Sequence, residues 1–513
     1  PEIWLFITTC VVMVVGLSPD MRVRRLCGWI SGIGILVAIG AAVPVEHPGG
    51  LFPAITPYAK GMIGVVGLLL LPLLAGTVDR DLDAAIAEGK ARFDALRANR
   101  AEFYAFFLFS LTGLMLTASA DDLIWLFLAL ELTSLPTYIM VTISTRGTRS
   151  QEAGVKYFFL GALGAAIFLY GFALMYGATG TTNLAEIAAA FKAQAAADGI
   201  NPIGIAGVAV ALVGLCFKIA AVPMHMYAAD VYQGAASGVS AMLAFVPKAA
   251  GFLAIIFICG TMGWTHGPAY DALPAPIYIL LWVIAAATMF TGNVLAVRQS
   301  SVKRMLAYSS VAHSGYMLVG VIAGPGSGGS FWDNGIAAVL FYLLSYGITN
   351  IGTFAVLASI QTDSGEEADD IAEIRGLHAT RPWLAGAMLL CVLSLLGLPP
   401  LVGFFAKVGL FTSAIAAGEI PLVIILGINS AIAAFYYLRI ARSAYLEPAD
   451  ESVSTGPTPV PQRAIAAVLS ASLVVFLLVI AQPIIERSVT ASGYTIPDTT
   501  AQARAETPRL PEE

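Results

Sequence analysis

An all-α, polytopic membrane protein is the fold class this sequence predicts, with about fourteen transmembrane helices in two inverted five-helix repeats, each with a discontinuous helix. Three observations predict it. The chain is 58% hydrophobic and 12% charged, whereas soluble chains carry about a quarter charged residues. Its apolar runs recur at the length a bilayer demands, about 20 residues each. Two of those runs carry prolines at matching places in the two halves of the chain.

In chain order the apolar runs lie at about 3–17, 28–43, 60–78, 102–119, 122–143, 152–177, 203–231, 236–261, 275–297, 303–324, 334–360, 383–416, 420–446 and 464–482. The first follows Glu2 with no basic segment before it and no small-residue cleavage site after it. It is expected to be a true span and not a signal peptide. The organisation expected is three helices plus a charged connection (1–101), a first repeat of helices four to eight (102–261), a second of helices nine to thirteen (275–446), a last span (464–482) and a polar tail (488–513). The mixed-charge segment Asp79–Arg100 has Ala and Leu at helical spacing, so a solvated surface helix is expected there. The tail is acidic and Pro-containing, with the composition of a loosely ordered segment.

Charge supports the count. If the N-terminus is outside, the odd-numbered connections hold eighteen of the 27 Lys and Arg residues, the other face holds five, and four lie inside spans. Such a bias is what the positive-inside rule requires, and it puts both termini on the outer side. The five cysteines are isolated, with no CxxC pair and no His/Cys cluster. Neither a zinc site nor an iron–sulfur cluster is encoded. No phosphate-binding glycine loop or cofactor motif is present, and nothing indicates nucleic acid.

The breaks read GLCFKIAAVPMHMY, with Lys218 one turn before Pro223, and LSLLGLPPLVGFFAK, with Pro399 and Pro400 two turns before Lys407. Proline removes a ladder hydrogen bond and frees carbonyls. In lipid this is tolerated where the backbone is buried in protein or lines a hydrated path. Kinked helices are common, but a lysine beside each break favours an ion path. Units of five helices, an odd number, must be inverted with respect to each other.

A charge at the centre of a span costs roughly 2.5–3.5 kcal/mol on insertion scales. This chain places Glu131, Lys218, Lys248 and Lys407 in such positions, with Lys156 nearer an end. Glu131 lies nine residues beyond Asp122, so about 13 Å deep at 1.5 Å per residue, and Lys218 is its expected partner. A carboxylate that can approach or leave a lysine loads or releases a proton. The expected string is Glu131, Lys218, Lys248, Lys407. Lys156 competes between that role and snorkelling to the inner surface. His225, just past Pro223, and His313, in YSSVAHSGYM, are expected relays facing the polar axis, since imidazole passes protons near neutral pH. Tyr232, Ser310 and Tyr316 are candidates to hold water between the charges. No metal ligands are assigned.

These stretches are recognisable as a set. EFYAFFLFSLTGLMLTASADDLIWLFLALELTSLPTYIM, RSQEAGVKYFFLGALGAAIFLYGFALMYGATGTTNLAEI, FKIAAVPMHMYAADVYQGA, KRMLAYSSVAHSGYMLVG and GLPPLVGFFAK resemble the N-type, antiporter-like membrane subunits of bacterial respiratory complex I, the proton-translocating NADH–quinone oxidoreductase. The resemblance covers about residues 1–485 and extends to the L- and M-type subunits and to Mrp-type antiporters. M-type chains carry a glutamate where Lys407 stands, L-type chains have a long lateral helix, and EAGVKYF is the N-type form. The charged 79–100 segment is longer than the family pattern implies.

The resemblance implies a fourteen-helix fold and a translocase subunit with no redox centre of its own. FMN, iron–sulfur clusters and quinone would reside elsewhere in the complex. The implied partners are antiporter-like M and L and small K and J subunits, in a bacterial inner membrane with periplasmic termini. It places the family's helix-five acid on Glu131 and its lysines on Lys156, Lys218, Lys248 and Lys407. The histidine after the seventh-helix break falls on His225. The alternatives are an Mrp-type cation/proton antiporter subunit and a scaffold whose charges only hold helices together.

Overall fold

The computed structural model describes residues 1–42, 50–94, 98–145, 147–266, 272–327, 329–362, 366–448 and 460–496. It is helical throughout: α1 Glu2–Gly16, α2 Met21–Arg24, α3 Leu26–Ala42, α4 Ile55–Leu74, α5 Arg80–Ala87, α6 Arg100–Thr117, α7 Leu123–Ile143, α8 Thr148–Thr179, α9 Leu184–Ala196, α10 Pro202–Ile219, α11 Ala228–Gly234, α12 Ser237–Met262, α13 Ala275–Val297, α14 Val302–Ala323, α15 Gly335–Ser359, α16 Leu377–Thr380, α17 Pro382–Leu396, α18 Val402–Ala416, α19 Ile420–Leu446, α20 Pro461–Val479 and α21 Ala481–Ala491. A 3-10 turn, Ile371–Ile374, precedes α16. Among the described residues eleven helices, α2 and α3 counted as one, are long and apolar enough to cross a membrane, and α1, α17 and α18 are shorter apolar helices.

Helix starts follow local chemistry. Asp122 accepts from Ile124 N at 2.7 Å to open α7, Asn201 with Pro202 opens α10, Ser301 accepts from Arg304 N for α14, and Asn334 accepts from Ala337 N for α15. Each side chain satisfies an N–H that the first turn leaves without a partner. The two overlong apolar runs break as their prolines require. The first splits into α10 and α11, with Ala220 in the left-handed conformation (φ 54°) at the break. The second splits into α17 and α18, with Gly397 left-handed at φ 85°.

Ion pairs join the odd-numbered connections to one another. Arg24 meets Asp83 at 3.1 Å, and Asp83 also meets Arg100 at 2.5 Å. Glu367 receives Arg463 at 2.7 Å and Lys303 at 3.5 Å and caps Ser237 N at the start of α12. Arg463 also donates to Ala75 O. At the opposite end, Tyr494 OH donates to Gly260 O, Thr495 N to Leu51 O and Asn334 Nδ2 to Ser492 Oγ. The alternation read from charge therefore matches which connections share a face.

The structure differs from the sequence reading in the connections. Among the described residues of the expected 79–100 surface helix, helix is limited to α5 and the first residue of α6: Gly89 turns left-handed (φ 73°) and Asp79 accepts from the Asn99 and Arg100 N–H groups. The 177–203 connection contains α9, capped by Asn183, and helix continues as α21 beyond the last predicted span. Of the predicted tail, residues 497–513 lie outside the described residues.

Three helices form the centre. All residues of α12 and α15, and nearly all of α14, are buried. A polar group on these helices therefore has protein on every side.

Candidate functional site

Lys218 is the penultimate residue of α10, in the turn whose carbonyls the break releases. Its Nζ donates to Glu131 Oε1 at 3.0 Å, Ser134 Oγ at 2.6 Å and Leu130 O at 3.2 Å. The three acceptors belong to one turn of α7, so an ammonium spends all three protons there. Lys218 is buried while Glu131 keeps 19% of its side-chain exposure, so the pair has one sealed end and one open end. Gly251 of α12 lets this turn approach: a Cβ there would lie 2.9 Å from Lys218 Cβ.

Lys248 lies midway along α12. Its Nζ donates to Ile219 O at 3.1 Å, to Ser314 Oγ at 2.6 Å and to Ser310 O. Ile219 O is the last carbonyl of α10, and Ser314 Oγ also donates to it. The break thus supplies the atom at which the Lys218 turn meets Lys248. Beside Ser314, His313 contacts Tyr342 OH through Nδ1 at 2.6 Å and Tyr437 OH through Nε2 at 2.8 Å. Tyr437 OH is bonded in turn to Ser309 Oγ.

Lys407, in α18, folds back across the second break to donate to Leu396 O, the last carbonyl of α17, at 2.7 Å. Gly397 makes room, since a Cβ there would stand 2.7 Å from Lys407 Cδ. Lys248 and Lys407 therefore do the same thing in different halves: each caps the carbonyl end of a broken helix. That end carries about half a negative charge from the helix dipole, which favours a cation. Among the described residues no ion pair is formed by either lysine. Their charge is carried by carbonyls and hydroxyls, which accept an ammonium yet do not lock it as a carboxylate would.

Of the seven sequence candidates, Glu131, Lys218, Lys248, His313 and Lys407 form a row spanning α7, α10, α12, α14 and α18. Lys156 stands apart from it, half-exposed, with Nζ 2.7 Å from Glu152 and 2.9 Å from Asp230. Asp230 also holds Arg304 at 2.7 Å. His225 is partly exposed beside Met226, which is 70% exposed. Its Nδ1 is buried with no hydrogen-bond partner among the described residues.

Tyr232 OH meets Ser310 Oγ at 3.3 Å, and the Tyr316 ring lies under Lys407 at 5.3 Å. Sequence reasoning missed Ser134, Ser314, Tyr342 and Tyr437. Ser134 and Ser314 had a legible signal, being three and one residues from assigned groups on the same helices. Tyr342 and Tyr437 had none, since their roles depend on how α15 and α19 pack. No group of three or more His, Cys, Asp or Glu among the described residues is placed to hold a metal.

Comparison with known proteins follows the same lines. Residues 120–433 match the family model described as NADH:quinone oxidoreductase/Mrp antiporter, transmembrane. The chain is 37% identical over 455 residues to NADH-quinone oxidoreductase subunit N of Trichlorobacter lovleyi, covering 88% of each. It is 35% identical over 508 residues to subunit N 2 of Symbiobacterium thermophilum, covering 94% of each. Its structure is similar to a chain of respiratory complex I from Thermus thermophilus, with TM-score 0.74, 29% identity, and coverage of 96% of this chain and 100% of that one. A chain of the Mrp complex from Dietzia sp. shares the fold at TM-score 0.76 and 22% identity, covering 98% of each.

Proposed function

We propose that this chain, which belongs to the NADH:quinone oxidoreductase/Mrp antiporter transmembrane family, moves protons along Glu131, Lys218, Lys248, His313 and Lys407 as the N-type membrane-arm subunit of a NADH–quinone oxidoreductase. The observation that carries this reading is how closely the first break brings Lys218, Lys248 and His313 together. Lys248 donates to Ile219 O, the carbonyl of the residue after Lys218, and to the serine beside His313. Lys248 and Lys407 are held by neutral carbonyls and hydroxyls, and the open side of Glu131 is where a partner or water can draw the acid away from Lys218. Separation of that pair would strip the cation of its counter-charge and send its proton onward to Lys248.

The chain itself acts as a non-redox subunit. FMN, iron–sulfur clusters and quinone belong to other parts of the complex, and the M-, L-, K- and J-type subunits are the expected neighbours in the membrane arm. The helices are assigned as fourteen spans: α1, α3, α4, α6, α7, α8, α10 with α11, α12, α13, α14, α15, α17 with α18, α19 and α20. Helices four to eight and nine to thirteen of that order make the inverted repeats. The fourth helix of each unit is the broken one, α10 with α11 and α17 with α18, which supports this assignment. With the basic face cytoplasmic, both termini of the chain are periplasmic in a bacterial inner membrane. Lys156, tied to Asp230 on that basic face, and His225, beside the first break, are placed as groups that feed the row from its edge.

Mrp-type antiport is the second reading, supported by the shared fold. The lysine-rich path favours protons over sodium, which calls for carbonyl and carboxylate oxygens. Two measurements separate the readings: co-purification with flavin and iron–sulfur subunits, and proton uptake by vesicles holding the assembled complex with Lys248→Ala. Co-purification with loss of pumping is expected. A chain that purifies with cation-antiport activity and no redox subunits would refute the proposal.

A further inference from the structure

Among the described residues no hydrogen bond joins His313 to Lys407. His313 bonds to Tyr342 and Tyr437, and Lys407 bonds to Leu396 O, so neither spends these bonds on the other. The Tyr316 ring fills the space: its centroid is 5.5 Å from that of His313, and Lys407 Nζ lies 5.3 Å from it. Its hydroxyl accepts from Asn293 Nδ2 at 2.9 Å.

Asn293 is itself fixed. The two hydrogens of its Nδ2 are shared among Tyr316 OH, Met289 O at 2.9 Å and Asn429 Oδ1 at 3.1 Å, and its Oδ1 accepts from Tyr436 OH at 3.1 Å. Asn293, Asn429, Tyr316 and Tyr436 are all within 1% of full burial. Uncharged amides at this depth are costly unless paired, and a fully paired network holds its members in one arrangement. Two glycines bring the helices close enough for it. A Cβ on Gly292 would lie 2.5 Å from Ala312 N, and one on Gly315 would lie 2.6 Å from Met289 Cγ. Asn293 and Tyr316 are the residues that follow these glycines in α13 and α14.

We propose that Tyr316 is a gate between His313 and Lys407, with Asn293 as the latch that holds its ring in place. This rests on the proton-path reading above and adds a step to it. In the latched position the ring face offers the lysine cation a favourable contact but offers a proton no donor–acceptor route. A proton crosses when the ring swings and water or a direct contact bridges imidazole and amine. Tyr316 and Asn293 are positioning residues and exchange no proton themselves.

The test uses the assembled complex in sealed vesicles. It measures passive proton leak, and protons pumped per electron, for Tyr316→Ala, Tyr316→Leu, Tyr316→Phe, Asn293→Leu, Lys407→Ala and the double variant Tyr316→Ala with Lys407→Ala. Tyr316→Ala and Tyr316→Leu are expected to raise leak on the order of tenfold, the size of a lost desolvated cation–ring contact, while electron transfer continues. Tyr316→Phe, which keeps the ring, should leak less than either, and Asn293→Leu should fall between. Adding Lys407→Ala should abolish the leak. Wild-type leak and wild-type pumping ratio in an assembled Tyr316→Ala or Tyr316→Leu complex would overturn the gate. If Lys407→Ala alone pumps normally, the proton-path reading fails. If Lys407→Ala stops pumping while the Tyr316 variants behave as wild type, only the gate fails.

Discussion

Ser134→Ala tests how the first lysine is held while leaving every charge in place. Lys218 Nζ has three acceptors: the Glu131 carboxylate at 3.0 Å, the Ser134 hydroxyl at 2.6 Å and the Leu130 carbonyl at 3.2 Å. Ser134 is 1% exposed and Lys218 equally so, so bulk water is not at hand to replace the hydroxyl. A hydrogen bond to a charged group contributes roughly 1.5–3 kcal/mol. Its loss should disfavour the ammonium form by on the order of 10- to 100-fold, since about 1.4 kcal/mol is a factor of ten. The alanine fits, as the substitution only removes an oxygen, and the hydroxyl's other bond, to Leu130 O, returns that carbonyl to its helix. The assay is quinone-linked electron transfer and proton uptake in vesicles of the assembled complex, with subunit content checked on a gel. A pumping rate lower by about tenfold with intact assembly is expected if loading of Lys218 limits turnover. Wild-type pumping in Ser134→Ala would refute the reasoning that the three acceptors set the charge state of this lysine.

Gly397→Ala should cost about 1–2 kcal/mol for a left-handed backbone and drive a Cβ into Lys407 Cδ, 2.7 Å away. Pumping should fall with the complex assembled, as read by proton uptake per electron. Tyr437→Phe removes the partner of His313 Nε2 and of Ser309 Oγ and should slow pumping and lower the melting temperature of the complex, at a cost of about 1–3 kcal/mol for the buried groups left unpaired. Glu367 lies outside the spans. Burial pushes its carboxyl up, but Lys303 and Arg463, with the Ser237 N–H, outweigh burial and hold it down at about 2. A depressed carboxylate gives stability that is full above its unfolded value near 4.3 and is lost as pH falls through about 2. Glu367→Gln should therefore destabilise the complex by about 3 kcal/mol at neutral pH, and the difference from wild type should vanish in acid melts as pH falls from about 4 to 2.

Much of this fold was legible because the bilayer imposes simple rules. Apolar runs of set length and basic residues on one face both follow from them. The two breaks were legible as Pro223 and the Pro399–Pro400 pair. Of the short connecting helices, α5 was legible from its spacing but its end at the left-handed Gly89 was not, and α9, which rests on α12, was not legible. In the site, the charged groups stood out against apolar spans, since their cost marks them. The atoms that join them did not. Ile219 O and Leu396 O are backbone carbonyls, invisible in side-chain chemistry, and Tyr342, Tyr437 and Asn293 gain their roles only when α13, α14, α15 and α19 come together. The separation of Lys156 from the row follows from its helix: α8 turns that residue towards Asp230 and Glu152 at the basic edge.

Proton pumping by the assembled complex with Lys218→Ala, measured in vesicles alongside quinone-linked electron transfer, tests the central claim most directly. A proton path through Lys218 predicts that both fall together while the complex stays assembled, because the row loses the group that links Glu131 to Lys248. Normal pumping with normal electron transfer would contradict it and leave these buried charges as helix-holding contacts.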